Sequence, residues 1–122
     1  MARHCIVGRV RPDRLAEYRD RHAAVWPELL RALRDAGWRN YSLFLSEDGM
    51  LVGYFEADDL DAAQRAVAST EVNDRWQQEM SEFSVGIDSG HPDQNWQFLD
   101  QVFNLEDQLR AAGERVTADD RA

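Results

Sequence analysis

Two β-prone runs, Trp38 to Leu45 and Met50 to Ala57, flank Ser46-Glu47-Asp48-Gly49. An Asp-Gly pair between such runs predicts a tight antiparallel hairpin. The hairpin strands carry apolar residues on both sides, because Val52, Tyr54 and Phe55 cannot all point one way when successive side chains alternate. Both faces of the sheet therefore need cover. The chain has 122 residues, which suits one domain. That leaves helices for one face and, in so short a chain, a second copy for the other.

The segments around the hairpin fill in the order. His4 to Val10 is a short β-prone run ended by Arg11-Pro12-Asp13. This predicts a first strand and then a helix start, with Pro12 in the opening turn and Asp13 beside the positive helix end. From Asp13 to Ala36 the residues Leu15, Tyr18, Val25, Trp26, Leu29, Leu30 and Leu33 recur at spacings of three and four, and Gly37 is placed to cap. Pro27 lies inside that pattern and predicts a kink or break. A short helix is expected after Asp58 and another after Thr70, whose hydroxyl suits an N-cap. Residues 84–97, with Gly86, Gly90, Pro92 and Asn95, read as a loop. Phe98, Val102, Phe103 and Leu105 fit either a last strand or a helix. The result is an α+β chain, a ferredoxin-like antiparallel sheet with helices on one face, forming a homodimer. Residues 1–105 make up the domain, and 106–122 a polar C-terminal extension frayed at its end.

Charge and cysteine content narrow the function. With 23 acids against 14 bases the net charge is −9, which disfavours phosphate backbones and anionic membranes, so no nucleic acid and no membrane partner are expected. The hydrophobic fraction of 43% supports a packed core. Cys5 is the only cysteine and can form no internal disulfide. No apolar stretch reaches a membrane span, and the N-terminal run is too short for a signal peptide. A cytoplasmic protein is expected.

Several chemistries lack their motifs. There is no phosphate-binding glycine loop, CxxC, HExxH or Gly-x-Ser-x-Gly elbow. His4, His22 and His91 are scattered, so no metal site is expected. What stands out is a set of polar aromatics. Tyr18, His22 and Trp26 are four apart, which on one helix stacks them along a face. The plain alternative is an apolar stripe with one satisfied histidine. Against it, His22 lies in Arg19-Asp20-Arg21-His22, at the edge of the buried face, where an imidazole can exchange protons near neutral pH. Tyr41 opens the second strand beside Asn40, and Trp76 lies in Asn73-Asp74-Arg75-Trp76-Gln77; each taken alone reads as core packing. Together they suit a sugar, with rings covering C–H patches and polar tips meeting hydroxyls.

These segments resemble the L-rhamnose mutarotase family. The resemblance rests on Glu17-Tyr18-Arg19-Asp20-Arg21-His22-Ala23-Ala24-Val25-Trp26-Pro27-Glu28-Leu29, then Asn40-Tyr41, then Ala66-Val67-Ala68-Ser69-Thr70 leading to Arg75-Trp76, and finally Gln101-Val102-Phe103. It spans roughly residues 3–105. It implies a dimeric α+β barrel that interconverts the α and β anomers of L-rhamnose, or a close deoxyhexose, without a cofactor. By matching position, His22 is implied as the catalytic proton donor, with Tyr18, Tyr41, Trp76 and Gln77 as sugar contacts. Gln77 stands where family members can carry a second tryptophan. The competing readings are a cofactor-free monooxygenase of the same barrel type and a non-catalytic sugar-binding module.

Overall fold

The computed structural model describes residues 2–85 and 96–118. Its centre is the strand β3, Met50–Ala57, in which Leu51, Gly53, Phe55 and Ala57 are buried while the residues between them are not. That period of two sets one face of β3 against a core. β3 pairs antiparallel with β1, Ala2–Arg9, and with β2, Arg39–Leu45. A short strand β4, Gln97–Leu99, pairs with the free side of β1. The sheet order is β2-β3-β1-β4. The expected hairpin is present, with Gly49 at φ +95° and its carbonyl accepting from the Val10 amide at 2.8 Å.

Four helices cover the inner face. α1 is Leu15–Ala23, entered through a 3₁₀ turn at Pro12–Arg14, and α2 is Pro27–Asp35. α3 is Leu60–Ala68 and α4 is Glu71–Met80. The break falls where Pro27 placed it. A residue before proline is pushed out of the helical region, and Trp26 sits at φ −53°, ψ 128°. The Thr70 hydroxyl accepts from the Asn73 amide at 3.3 Å, as its N-cap role required, and Asp59 caps α3 in the same way. Val10 and Leu51 of the sheet side pack with Leu29, Val72, Trp76, Met80 and Phe83. Ile6, Phe55 and Ala57 pack with Trp38, Ala63 and Val67.

β2 contains one irregularity with consequences for the site. Arg39 lies opposite Glu56 and Ser42 opposite Tyr54, so β2 spends three steps where β3 spends two. Asn40 takes the extra position at φ +49°, a conformation asparagine tolerates better than most residues. Its side-chain amide donates to Glu56 at 3.2 Å. Without the bulge Trp38 and Tyr41, three apart, would face opposite ways. With it both meet Phe55, at ring-centroid distances of 4.1 and 5.8 Å.

The ambiguous C-terminal stretch is both strand and helix. After β4 the chain forms α5, Leu105–Ala111, capped by Asn104 and tied to β1 by Arg3, whose guanidinium donates to Asp107 at 2.9 Å. The polar extension thus begins as a helix. The loop glycines Gly86 and Gly90, together with His91, Pro92 and Asn95, lie outside the described residues. Among the described residues no helix is long and apolar enough to cross a membrane.

Candidate active site

The five residues that the resemblance implies for the site line one cleft between the sheet and the helices. Its inner part, about 70 Å³, is walled by Tyr18 and His22 of α1, Tyr41 of β2, and Trp76 and Gln77 of α4. It continues into a wider part of about 290 Å³ that adds Val25, Leu29 and Leu33. A polar inner end and an apolar outer end suit a ligand that carries hydroxyls and C–H surface together.

The aromatic rings hold the imidazole. His22 stacks on Tyr18 with centroids 4.1 Å apart at 29°, and Trp76 meets it edge to face at 5.3 Å. The one-helix stack expected for Tyr18, His22 and Trp26 does not extend to the third member. The break before Pro27 swings Trp26 away, and it supports the cleft from behind, edge to face with Trp76 at 5.1 Å. Phe83 backs Tyr18 at 6.1 Å. Arg21 pairs with Glu79 at 2.8 Å and Arg75 with Glu28 at 3.1 Å, joining α4 to α1 and α2. Both pairs are exposed and add little stability.

The electrostatics set the protonation state. His22 Nδ1 lies 2.9 Å from the Tyr18 carbonyl, which can only accept, so Nδ1 carries a proton and donates it there. Nε2 is left as the lone-pair nitrogen of the neutral ring. Burial lowers the His22 pKa, partly opposed by that backbone hydrogen bond, which favours the protonated ring. At neutral pH His22 is therefore an acceptor before it is a donor. Burial pushes the Tyr18 phenol up, so its hydroxyl stays protonated and serves as a hydrogen-bond donor. Gln77 is buried, and its amide donates to Asn73 at 3.3 Å.

The cleft also includes Gly8, Leu43, Leu51, Met80 and Trp96, which were not singled out in the sequence. Leu43 and Leu51 could have been found by strand alternation, and Met80 by its four-residue spacing from Trp76. Trp96 had no such local signal. It reaches the cleft through the pairing of β4 with β1.

A small α+β sandwich with a histidine held among tyrosines and tryptophans between its layers has the equipment of a sugar isomerase. The comparisons are specific. Residues 3–105 match the family model for L-rhamnose mutarotase. The L-rhamnose mutarotase of Pectobacterium atrosepticum is 36% identical over 107 residues, covering 87% of this chain and all of the relative. That of Yersinia pestis is 38% identical over 110 residues with the same coverage. The crystal structure of L-rhamnose mutarotase from Formosa agariphila superposes with a TM-score of 0.67 at 25% identity, over 87% of this chain and all of that one. A Mycobacterium tuberculosis structure, Rv0793, shares the fold with a TM-score of 0.53 at 15% identity, over 84% of this chain and 98% of that one. The chain belongs to the L-rhamnose mutarotase family, whose reaction is a carbohydrate isomerisation.

Proposed function

We propose that this chain interconverts the α and β anomers of L-rhamnose by moving one proton through His22, with Tyr18, Tyr41, Trp76 and Gln77 holding the sugar. The observation that carries this reading is the neutral imidazole, fixed by its Nδ1 bond to the Tyr18 carbonyl and lining the cleft. Nε2 takes the proton of the anomeric hydroxyl. The C1–O1 double bond forms as the bond from C1 to the ring oxygen breaks, and the ring oxygen takes the proton back from the imidazolium. Both oxygens are bonded to C1, so one nitrogen reaches each by a small shift. The aldehyde turns about C1–C2, and the hydroxyl adds to its other face as the proton returns by the same route. Proton transfer of this kind contributes about 10²–10⁴-fold. No cofactor or metal enters any step.

Exchange between the two anomer signals of L-rhamnose, followed by NMR with and without the chain, tests the activity. The pH dependence tests the mechanism. Because the working form of His22 is neutral and its pKa is lowered, the rate is expected to be level from neutral pH upward. It should decline on acidification with a midpoint below the ordinary 6.5. Stability follows the same sign: what His22 contributes as a buried neutral ring is present above 6.5 and is lost as pH falls through its lowered value. A rate that climbs as pH drops through this range, after subtraction of the uncatalysed exchange, would show instead that the imidazolium acts first.

The working form is a homodimer built sheet to sheet. The outer face carries Val7, Val52 and Phe44 in one cross-strand row and Leu99, Cys5 and Tyr54 in the next. Phe44 is 62% exposed and Leu99 44%, a large apolar surface for a lone chain. Sedimentation at micromolar concentration should give twice the 14.1 kDa chain mass, and Phe44→Glu should shift it toward the monomer. A stable wild-type monomer would refute the dimer. The single cysteine and the acidic charge suit the cytoplasm.

A further inference from the structure

The pairing of β4 with β1 sets Gln97 opposite Val7, so Trp96, one position earlier, falls beside Gly8 on the inner face. The contact is close. A Cβ on Gly8 would meet Trp96 Cδ1 at 3.2 Å and Nε1 at 3.6 Å. The absence of a side chain at residue 8 lets the indole lie against the β1 backbone. Trp96 is half-buried and borders the inner cleft, the wide outer cleft and a neighbouring cavity toward α3. It stands on the strand wall, while Trp76 and Gln77 stand on the helix wall.

We propose that Trp96 is a sugar-contacting residue that covers a C–H face of the substrate and holds the ring against His22. This rests on the mutarotase reading of the cleft. A half-buried indole that borders both parts of the cleft, with its Cδ1–Nε1 edge against Gly8, presents ring surface where a sugar would lie. Of the aromatic residues in the cleft, Trp76 is committed to His22 and Trp26, Tyr18 to His22 and Phe83, and Tyr41 to Trp38 and Phe55. Trp96 stands in no ring pair among the described residues; it packs on Gly8 and against the core cluster of Ile6, Trp38 and Phe55, and still borders the cleft. Because its work is to bind, its loss should appear in KM and not in kcat.

The test uses the full chain and L-rhamnose, with anomer exchange as the assay. Trp96→Leu keeps apolar volume beside Gly8 but removes the ring. It is expected to raise KM about 3- to 10-fold, the range of one aromatic contact, with kcat within about twofold of wild type. Trp96→Phe should restore most of the loss. It should also diminish the change in intrinsic tryptophan fluorescence on addition of L-rhamnose. Gly8→Ala, which displaces the indole by a few tenths of an ångström, should raise KM in the same direction. An unchanged KM in Trp96→Leu, or a fall in kcat alone, overturns the proposal. If Trp96→Leu does not fold, an unchanged KM in Gly8→Ala overturns it equally. Absence of anomer exchange by the wild-type chain is a different result and refutes the functional reading itself.

Discussion

His22→Ala is expected to lower the anomer-exchange rate by about 100-fold or more while leaving the apparent affinity for L-rhamnose within a few-fold. Among the described residues lining the cleft, the imidazole is the one group that can take and return a proton at neutral pH. The Tyr18 phenol is held protonated by burial, and the Gln77 amide and Trp76 indole do not titrate in this range. Tyr18, Tyr41, Trp76 and Gln77, the proposed sugar contacts, remain in the variant. The fold should survive, because His22 is only partly buried and alanine is a good helix residue in the last turn of α1. Circular dichroism at equal concentration checks the fold, and NMR exchange checks the rate. A variant that exchanges anomers at close to the wild-type rate would remove His22 from the mechanism and direct attention to Tyr18 or Tyr41.

Phe55→Ala is expected to cost about 3–5 kcal/mol of folding stability. Phe55 is 0% exposed and sits between three rings. Trp38 stacks on it at 4.1 Å and 23°, His4 lies at 5.1 Å, and Tyr41 makes an edge-to-face pair with it at 5.8 Å. Alanine would leave a void between the sheet and the α3 side of the helix layer. Against a typical total of about 5–15 kcal/mol the variant would be close to unfolding at ambient temperature. Phe55→Leu, which keeps most of the volume, should cost less. Tyr41 loses part of its support in both, so residual activity should fall faster than the folded fraction. Urea titration of both variants reads the stability. A loss under about 1 kcal/mol for alanine would contradict the packing described.

The parts of the fold that were legible in the sequence share a local cause. Pro27 breaks the long helix because of its own ring, Gly49 turns the hairpin through its own φ, and Thr70 caps α4 through its own hydroxyl. Each needs only its immediate neighbours. The Tyr18–His22 pair was legible for the same reason, being one turn of one helix. Trp26 was not correctly placed by spacing alone, since the break that Pro27 causes also removes the shared face. The segment around Phe98 was ambiguous because a three-residue strand exists through its partner, β1, and not through its own propensity. Trp96 was hidden for that reason too. The bulge at Asn40 left no local sign, because a left-handed asparagine is an ordinary loop signal and becomes a bulge only against the register of β3.

That extra residue in β2 divides the strand into two independently phased halves. On the hairpin side of Asn40, Leu43 and Leu45 keep step with the Asp48-Gly49 turn; on the other side, Trp38 and Arg39 keep step with the end of α2. A one-residue deletion at position 40 would leave the turn untouched and close β2 into a regular ladder, with Arg39 still opposite Glu56 and Trp38 still on the inner face. The same deletion between Ser42 and Leu45 would instead turn both Tyr41 and Trp38 to the outer face and strip the cleft of its aromatic wall. In homologues a single-residue gap should accordingly be tolerated at Asn40 or in the loop after α2, and not between Ser42 and Leu45.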